Sequence, residues 1–234
     1  MDNSRILHIL ESHRDQLFKK LNGLTISRLY KQEYQDIKSG RIFVFDNNER
    51  QLLNDLKKLS KDTTNDNLIA NKLNEFLSLD NEVLTDYFKA ELEKVLVKIL
   101  QSNKQDEIQA LFIEYDYYYH FTSCIECYGQ QEYPIIEVPR YITNEYDYNK
   151  NVLFLDDGIN FQPAWLDCEE LSNFDYLDIN YEFEKLFQNH SRILLHNALK
   201  NLEENNQFNL FKNRPFTFYI NEHDSEVMML YRLN

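Results

Sequence analysis

The feature that most constrains this chain is a change of hydrophobic period near residue 105. Before it, apolar residues recur every three to four positions; after it, they alternate with polar ones. In NEVLTDYFKAELEKVLVKILQS, residues 81–102, the side chains Val83, Leu84, Tyr87, Phe88, Leu92, Val95, Leu96 and Ile99 form one broad apolar helical stripe. A stripe of that width needs a cover, so the helical part is expected to share an interface with the strand-forming part after residue 105. From residue 108, IQALFIEYDYYYHFTSCIECYG is rich in aromatic and β-branched residues at alternate positions. That pattern predicts two strands meeting near Tyr117–Tyr119.

The remaining segments extend both patterns. Ile6, Leu7, Leu10, Leu17, Phe18 and Leu21 predict a helix over 3–22, stopped by Asn22-Gly23. Further helical periods run through about 25–38, 48–62 and 65–80. GRIFVFDNN, residues 40–48, reads as a short strand ending at a turn, or as extended loop. Pro134 and Pro139 make 130–150 a loop with short extended pieces. NVLFLDDGINFQPAW, residues 151–165, reads as a hairpin turning at Asp156-Asp157-Gly158, with Phe154 and Phe161 in the core. INYEFEKLFQNHSRILLHNALKNLEEN, residues 179–205, is a long amphipathic helix, and the C-terminus closes with two strands around Asn221–Ser225. The fold class is α+β: a mainly helical region, 1–105, then an acidic region, 106–234, with an antiparallel sheet and one long packed helix. Only four glycines and four prolines leave little room for long flexible linkers, and the broad apolar stripe of 83–102 leads to the expectation that the two regions form one cooperative unit.

Charge divides the chain at the same place. Residues 1–105 carry 17 Lys and Arg against 16 Asp and Glu, whereas residues 106–234 carry 8 against 23. Thirteen of the sixteen tyrosines share the second region. Such a field repels nucleic acid and anionic membrane surfaces and attracts a basic protein. No apolar run approaches the roughly 18–20 residues that span a bilayer, and three cysteines are not a secreted disulfide framework. A soluble, cytoplasmic protein is expected.

Catalytic signatures are missing from the sequence. There is no G-x-S-x-G elbow and no glycine-rich phosphate loop. Cys124-Ile125-Glu126-Cys127 has the spacing of a redox or zinc pair, but residues three apart on a strand point to opposite faces. Glu126 would also raise the thiol pKa values rather than lower them. A zinc site needs two more ligands; Cys168, His120, His190 and His196 are present without a second paired motif. His190 and His196 lie six apart on one helix, not the four that align two ligands. The cysteines are read as structural; neither a cofactor nor a metal is expected, and the chain is not read as an enzyme.

The informative stretch is 141–182, which holds ten acidic residues and one lysine among tyrosines, phenylalanines and the sole tryptophan. Tyr and Trp supply large contact area at low entropic cost, while carboxylates steer a cationic partner. The candidate partner-binding residues are Asp156, Asp157, Trp165, Asp167, Glu169, Glu170, Asp175, Tyr176 and Asp178.

Three stretches of the second region carry a family resemblance: ALFIEYDYYYHFTSCIECYG, PAWLDCEELSNFDYLDINYEFEKLF leading into the long helix, and FTFYINEHDSEVMMLYRLN. In pattern, residues 106–234 resemble the immunity proteins encoded beside bacterial polymorphic and contact-dependent toxins. The resemblance implies a small acidic α+β protein that binds and blocks a cognate toxin in the cytoplasm. It transfers no functional residues, since no shared motif defines them. The leading expectation is therefore an inhibitor of a basic toxin or effector domain. The alternatives are a phage-encoded inhibitor that mimics nucleic-acid charge and a hydrolase or metal-dependent enzyme using dispersed carboxylates and histidines.

Overall fold

The computed structural model describes residues 3–44, 49–116, 120–141, 147–174, 176–222 and 226–234. Five helices come first: α1 (Asn3–Leu21), α2 (Ile26–Lys38), α3 (Glu49–Leu59), α4 (Leu68–Leu77) and α5 (Asn81–Gln101). Strands β1 (Ala110–Asp116), β2 (His120–Tyr128) and β3 (Asn151–Leu155) come next. The chain then forms the single turn α6 (Glu169–Ser172), the long α7 (Ile179–Glu204), and strands β4 (Phe216–Glu222) and β5 (Val227–Leu233). The protein is α+β, with helices first and one long helix set among strands.

Local chemistry accounts for the boundaries. Gly23, two residues past the end of α1, takes φ +81°, a conformation that costs glycine little. Thr25 caps α2 by accepting from the Arg28 N–H, and Asp80 caps α5 by accepting from the N–H groups of Glu82 and Val83. The anticipated strand at 40–48 does not form in its described part: residues 40–44 are turn and irregular chain, and Phe43 is 80% exposed. The junction of β1 and β2 at 117–119 and the turn at 223–225 lie outside the described residues.

The five strands form one sheet in the order β3-β2-β1-β4-β5. Three pairings are antiparallel, but β1 and β4 run parallel, so the sheet is mixed rather than purely antiparallel. More than ninety residues, including α7, lie between β1 and β4. That length is ample for the crossover a parallel pair requires, whereas alternation along a strand carries no information about direction. β5 ends the strand order, yet six of its seven residues are buried, which matches its near-continuous apolar run, VMMLYRL.

Segment 151–165 is not a hairpin. Leu155 pairs with Ile125, and after a bend at Asp156-Asp157 the chain remains beside β2: Gly158 N–H donates to Ser123 O at 2.8 Å, Phe161 N–H to Phe121 O at 2.8 Å, and Asn160 bridges Thr122. The two aspartates are thus an insertion in one edge strand, as at a bulge. Gly158 permits this because a Cβ there would lie 2.6 Å from Ser123 Oγ and 2.8 Å from Ile125 Cγ1.

The fold divides into two compact units, each built from distant parts of the chain. The sheet unit holds 1–13, 80–165 and 188–234; the helical unit holds 14–79 and 166–187. The compositional boundary at residue 105 lies inside the sheet unit. There, Phe88 of α5 meets Phe161 at 5.6 Å, Phe161 meets Tyr115 at 4.9 Å, and Arg192 of α7 donates to the Tyr115 hydroxyl at 3.3 Å. The apolar stripe of α5 is covered in this way, except that Val83 in its first turn is exposed. In the helical unit Phe76 joins Phe18 at 6.4 Å and Phe187 at 6.1 Å, while Asp66 accepts from both N–H and hydroxyl of Ser27 at 2.8 Å.

Candidate functional site

The acidic, aromatic stretch read from the sequence is split between the units. Asp156, Asp157 and Trp165 belong to the sheet unit; Asp167, Glu169, Glu170, Tyr176 and Asp178 belong to the helical unit, and Asp175 lies outside the described residues. Asp156 and Asp157 are exposed at the edge-strand bend, where Lys98 Nζ holds the Asp157 carboxylate at 2.9 Å and its carbonyl at 2.5 Å. Trp165 is half-buried with its ring 5.9 Å from Phe121. Phe161 is core, as its pattern suggests, but Phe154 is 49% exposed. It shares a row with Glu126 on an edge strand, and the edge position leaves one side of the ring without a neighbouring strand.

In the helical unit the segment does bring a surface together. Tyr176, 53% exposed and at φ +67°, stands with Asp178 at the wall of a cleft of about 460 Å³. Leu21, Leu24, Leu29, Ile42, Leu177 and Ile179 supply its apolar lining; Lys20, Gln32, Glu33 and Glu182 complete it. Residues from the near-neutral N-terminal region therefore form more than half of the lining. The composition of that region gave no reason to single them out. The one local signal is the like-charge pair Glu33 and Asp36 at i, i+3 on α2, an arrangement that mildly disfavours a helix.

Most charges around the cleft are answered from within the unit. Lys20 Nζ pairs with Glu182 at 2.7 Å. Asp36 receives Arg41 at 3.1 Å and the Gln32 amide at 2.8 Å. Lys185 sits 3.9 Å over the Tyr181 ring. Glu33 and Asp178 differ: among the described residues neither carboxylate pairs with a cation. Partial burial, then repulsion from Asp36 and Asp178, raises the Glu33 pKa above its ordinary value. The cleft therefore combines an apolar interior, an exposed phenol and a carboxylate that lacks a counter-charge.

Other candidate chemistry is muted. In β2 the residues Ser123, Ile125 and Cys127 are buried while Cys124 and Glu126 lie on the opposite face, so the two thiols diverge. Burial first, and nearby carboxylates second, push Cys124 to about 11 and Cys127 to about 12, far from the thiolate form nucleophilic chemistry needs. Cys168 is likewise raised to about 12, mainly by burial. His190 and His196 are both buried in the sheet unit, where His196 Nε2 lies 3.0 Å from the Asn3 carbonyl. Among the described residues no three His, Cys, Asp or Glu side chains gather as a metal-holding group, and no helix is long and apolar enough to cross a membrane. A second depression of about 520 Å³, in the sheet unit, is polar; Lys104 pairs with Glu107 at 3.0 Å and Asp106 with Lys212 at 2.8 Å, while Lys150 also lines it.

No protein-family model, no curated protein and no solved structure matches this chain.

Proposed function

We propose that the protein is an immunity-type inhibitor that binds a basic toxin or effector domain in the cytoplasm and neutralises it. The observation carrying this reading is the cleft at Tyr176 and Asp178. Two residues of the acidic, aromatic segment flank an apolar interior beside Glu33, whose charge is unanswered. Sites of that make-up suit a protein partner, because a desolvated aromatic anchor slows release while surrounding carboxylates speed encounter. The net charge of −14 acts in the same direction at longer range. The high thiol pKa values add no reason to favour an enzymatic reading.

The test pairs the purified protein with the product of a neighbouring toxin gene and follows both association and toxin activity at several salt concentrations. Inhibition, with association that slows as salt rises, is the expected result. A neighbouring toxin that is neither bound nor inhibited, at low salt and micromolar protein, contradicts the reading.

A further inference from the structure

The cleft of the helical unit is specific enough to suggest what enters it. Its interior is lined by leucine and isoleucine side chains and its volume of about 460 Å³ falls toward the small end of ligand clefts. At the rim, Glu33 and Asp178 interact as like charges and have no cation among the described residues. Tyr176 presents an exposed ring at the same rim, and among the described residues no cation lies over it. The neighbouring Tyr181 ring, by contrast, already carries Lys185.

We propose that this cleft takes one arginine of the partner, flanked by apolar residues, with the guanidinium between Glu33 and Asp178. The inference rests on the inhibitory-binding reading and names the chemistry of the anchor. Charge complementarity selects a cation, since binding one removes the repulsion between the two carboxylates. The apolar lining selects a long aliphatic stem that can lie along leucines while its head reaches the rim. The planar fork of arginine can donate to two carboxylates at once and stack on a tyrosine face, whereas lysine offers a compact, strongly hydrated point charge.

The test uses the full-length ¹⁵N-labelled protein and three capped peptides, Leu-Xaa-Leu, with arginine, lysine or citrulline at the centre. Citrulline keeps the shape of arginine and removes its charge. The expected result is chemical-shift change confined to residues 20–42 and 176–182, with arginine binding roughly fivefold or more tightly than citrulline and more tightly than lysine. Glu33→Gln and Asp178→Asn should each shrink the difference between arginine and citrulline while leaving the shifts of β1 and β2 in place. Equal binding of arginine and citrulline, equal binding of arginine and lysine, or shifts centred elsewhere would overturn the inference. Failure here is separable from failure of the inhibitory reading. If the two variants bind and inhibit a neighbouring toxin as wild type does, the arginine anchor is rejected and the inhibitor stands.

Discussion

The two units differ in how their charge is arranged. The sheet unit carries 12 Lys and Arg against 23 Asp and Glu, and the helical unit 13 against 16. Inside the helical unit the contrast is sharper: residues 14–79 hold 12 basic against 9 acidic side chains, and residues 166–187 hold 1 against 7. The most acidic stretch of the chain therefore folds with a segment of net positive charge, and pairs such as Lys20–Glu182 consume part of its charge. Charge counted along a sequence is not charge displayed on a surface. The acidic and aromatic surface that the folded helical unit leaves is narrower: the Glu33 and Asp178 carboxylates, the exposed Glu169 and Glu170, and the Tyr176 ring. On the proposed inhibitory reading, long-range attraction comes chiefly from the sheet unit, and selectivity from the helical one.

Stability offers the sharpest way to separate the units. Gly158→Ala should be the most damaging single change: its Cβ meets Ser123 O and Ile125 Cγ1 at 2.8 Å, and overpacking of this kind costs about 3 kcal/mol. Hydrogen exchange should rise in β2 and β3 while amides of α2 and α4 keep their protection. Equal loss in both units would mean that they open together, and that the chain is the single cooperative unit expected from the broad apolar stripe of 83–102.

A comparable effect should come from acid, again in the sheet unit. Burial lowers the His196 pKa from 6.5 to about 4, outweighing the hydrogen bond to the Asn3 carbonyl. The unfolded chain therefore binds this proton more readily than the folded one. The contribution is complete above pH 6.5 and is lost as pH falls toward 4, about 3 kcal/mol in all. Denaturant melts of wild type and His196→Gln between pH 7 and pH 4 should show the variant losing less stability on acidification. Parallel curves would remove His196 from the account.

In the helical unit Asp66→Ala should cost about 1 kcal/mol, because it removes both bonds to Ser27 in the first turn of α2. The smallest effect belongs to the cysteines. Cys124→Ser with Cys127→Ser should change partner binding by no more than a few-fold, and the native thiols should react slowly with a thiol reagent at neutral pH. Stoichiometric zinc in the purified protein, lost in the double variant, would contradict the structural reading of these residues.

Periodicity made the long elements legible. The stripes of α5 and α7, the β1–β2 alternation and the closing pair β4–β5 all stand where the sequence places them, because each depends on neighbours within its own segment. The features that escaped were set by distant packing. Asp156-Asp157-Gly158 has the local chemistry of a hairpin turn, and only the approach of Gly158 to Ser123 and Ile125 makes it a bend within an edge strand. The parallel β1–β4 pair and the exposure of Phe154 likewise depend on strand order, which local alternation does not encode. For the candidate site, Tyr176 and Asp178 were legible as acidic and aromatic residues in a biased segment. Leu24, Leu29, Glu33 and Ile42 were not, since they lie more than 130 residues away in a region of balanced charge.

The division of labour between the units can be measured directly with a bound partner. Association and dissociation rates should be followed over a range of salt for two sets of charge reversals, Asp156 with Asp157 in the sheet unit and Asp167, Glu169, Glu170 and Asp178 in the helical unit. Both sets should slow association and weaken its salt dependence. Truncation of Tyr176 should mainly accelerate dissociation, by about 2 kcal/mol or more if it is a buried anchor. Only the helical-unit set should also shorten the lifetime of the complex, because Asp178 lies at the cleft. A complex whose rates ignore salt, the helical-unit reversals and the loss of the Tyr176 ring alike would contradict capture through this surface.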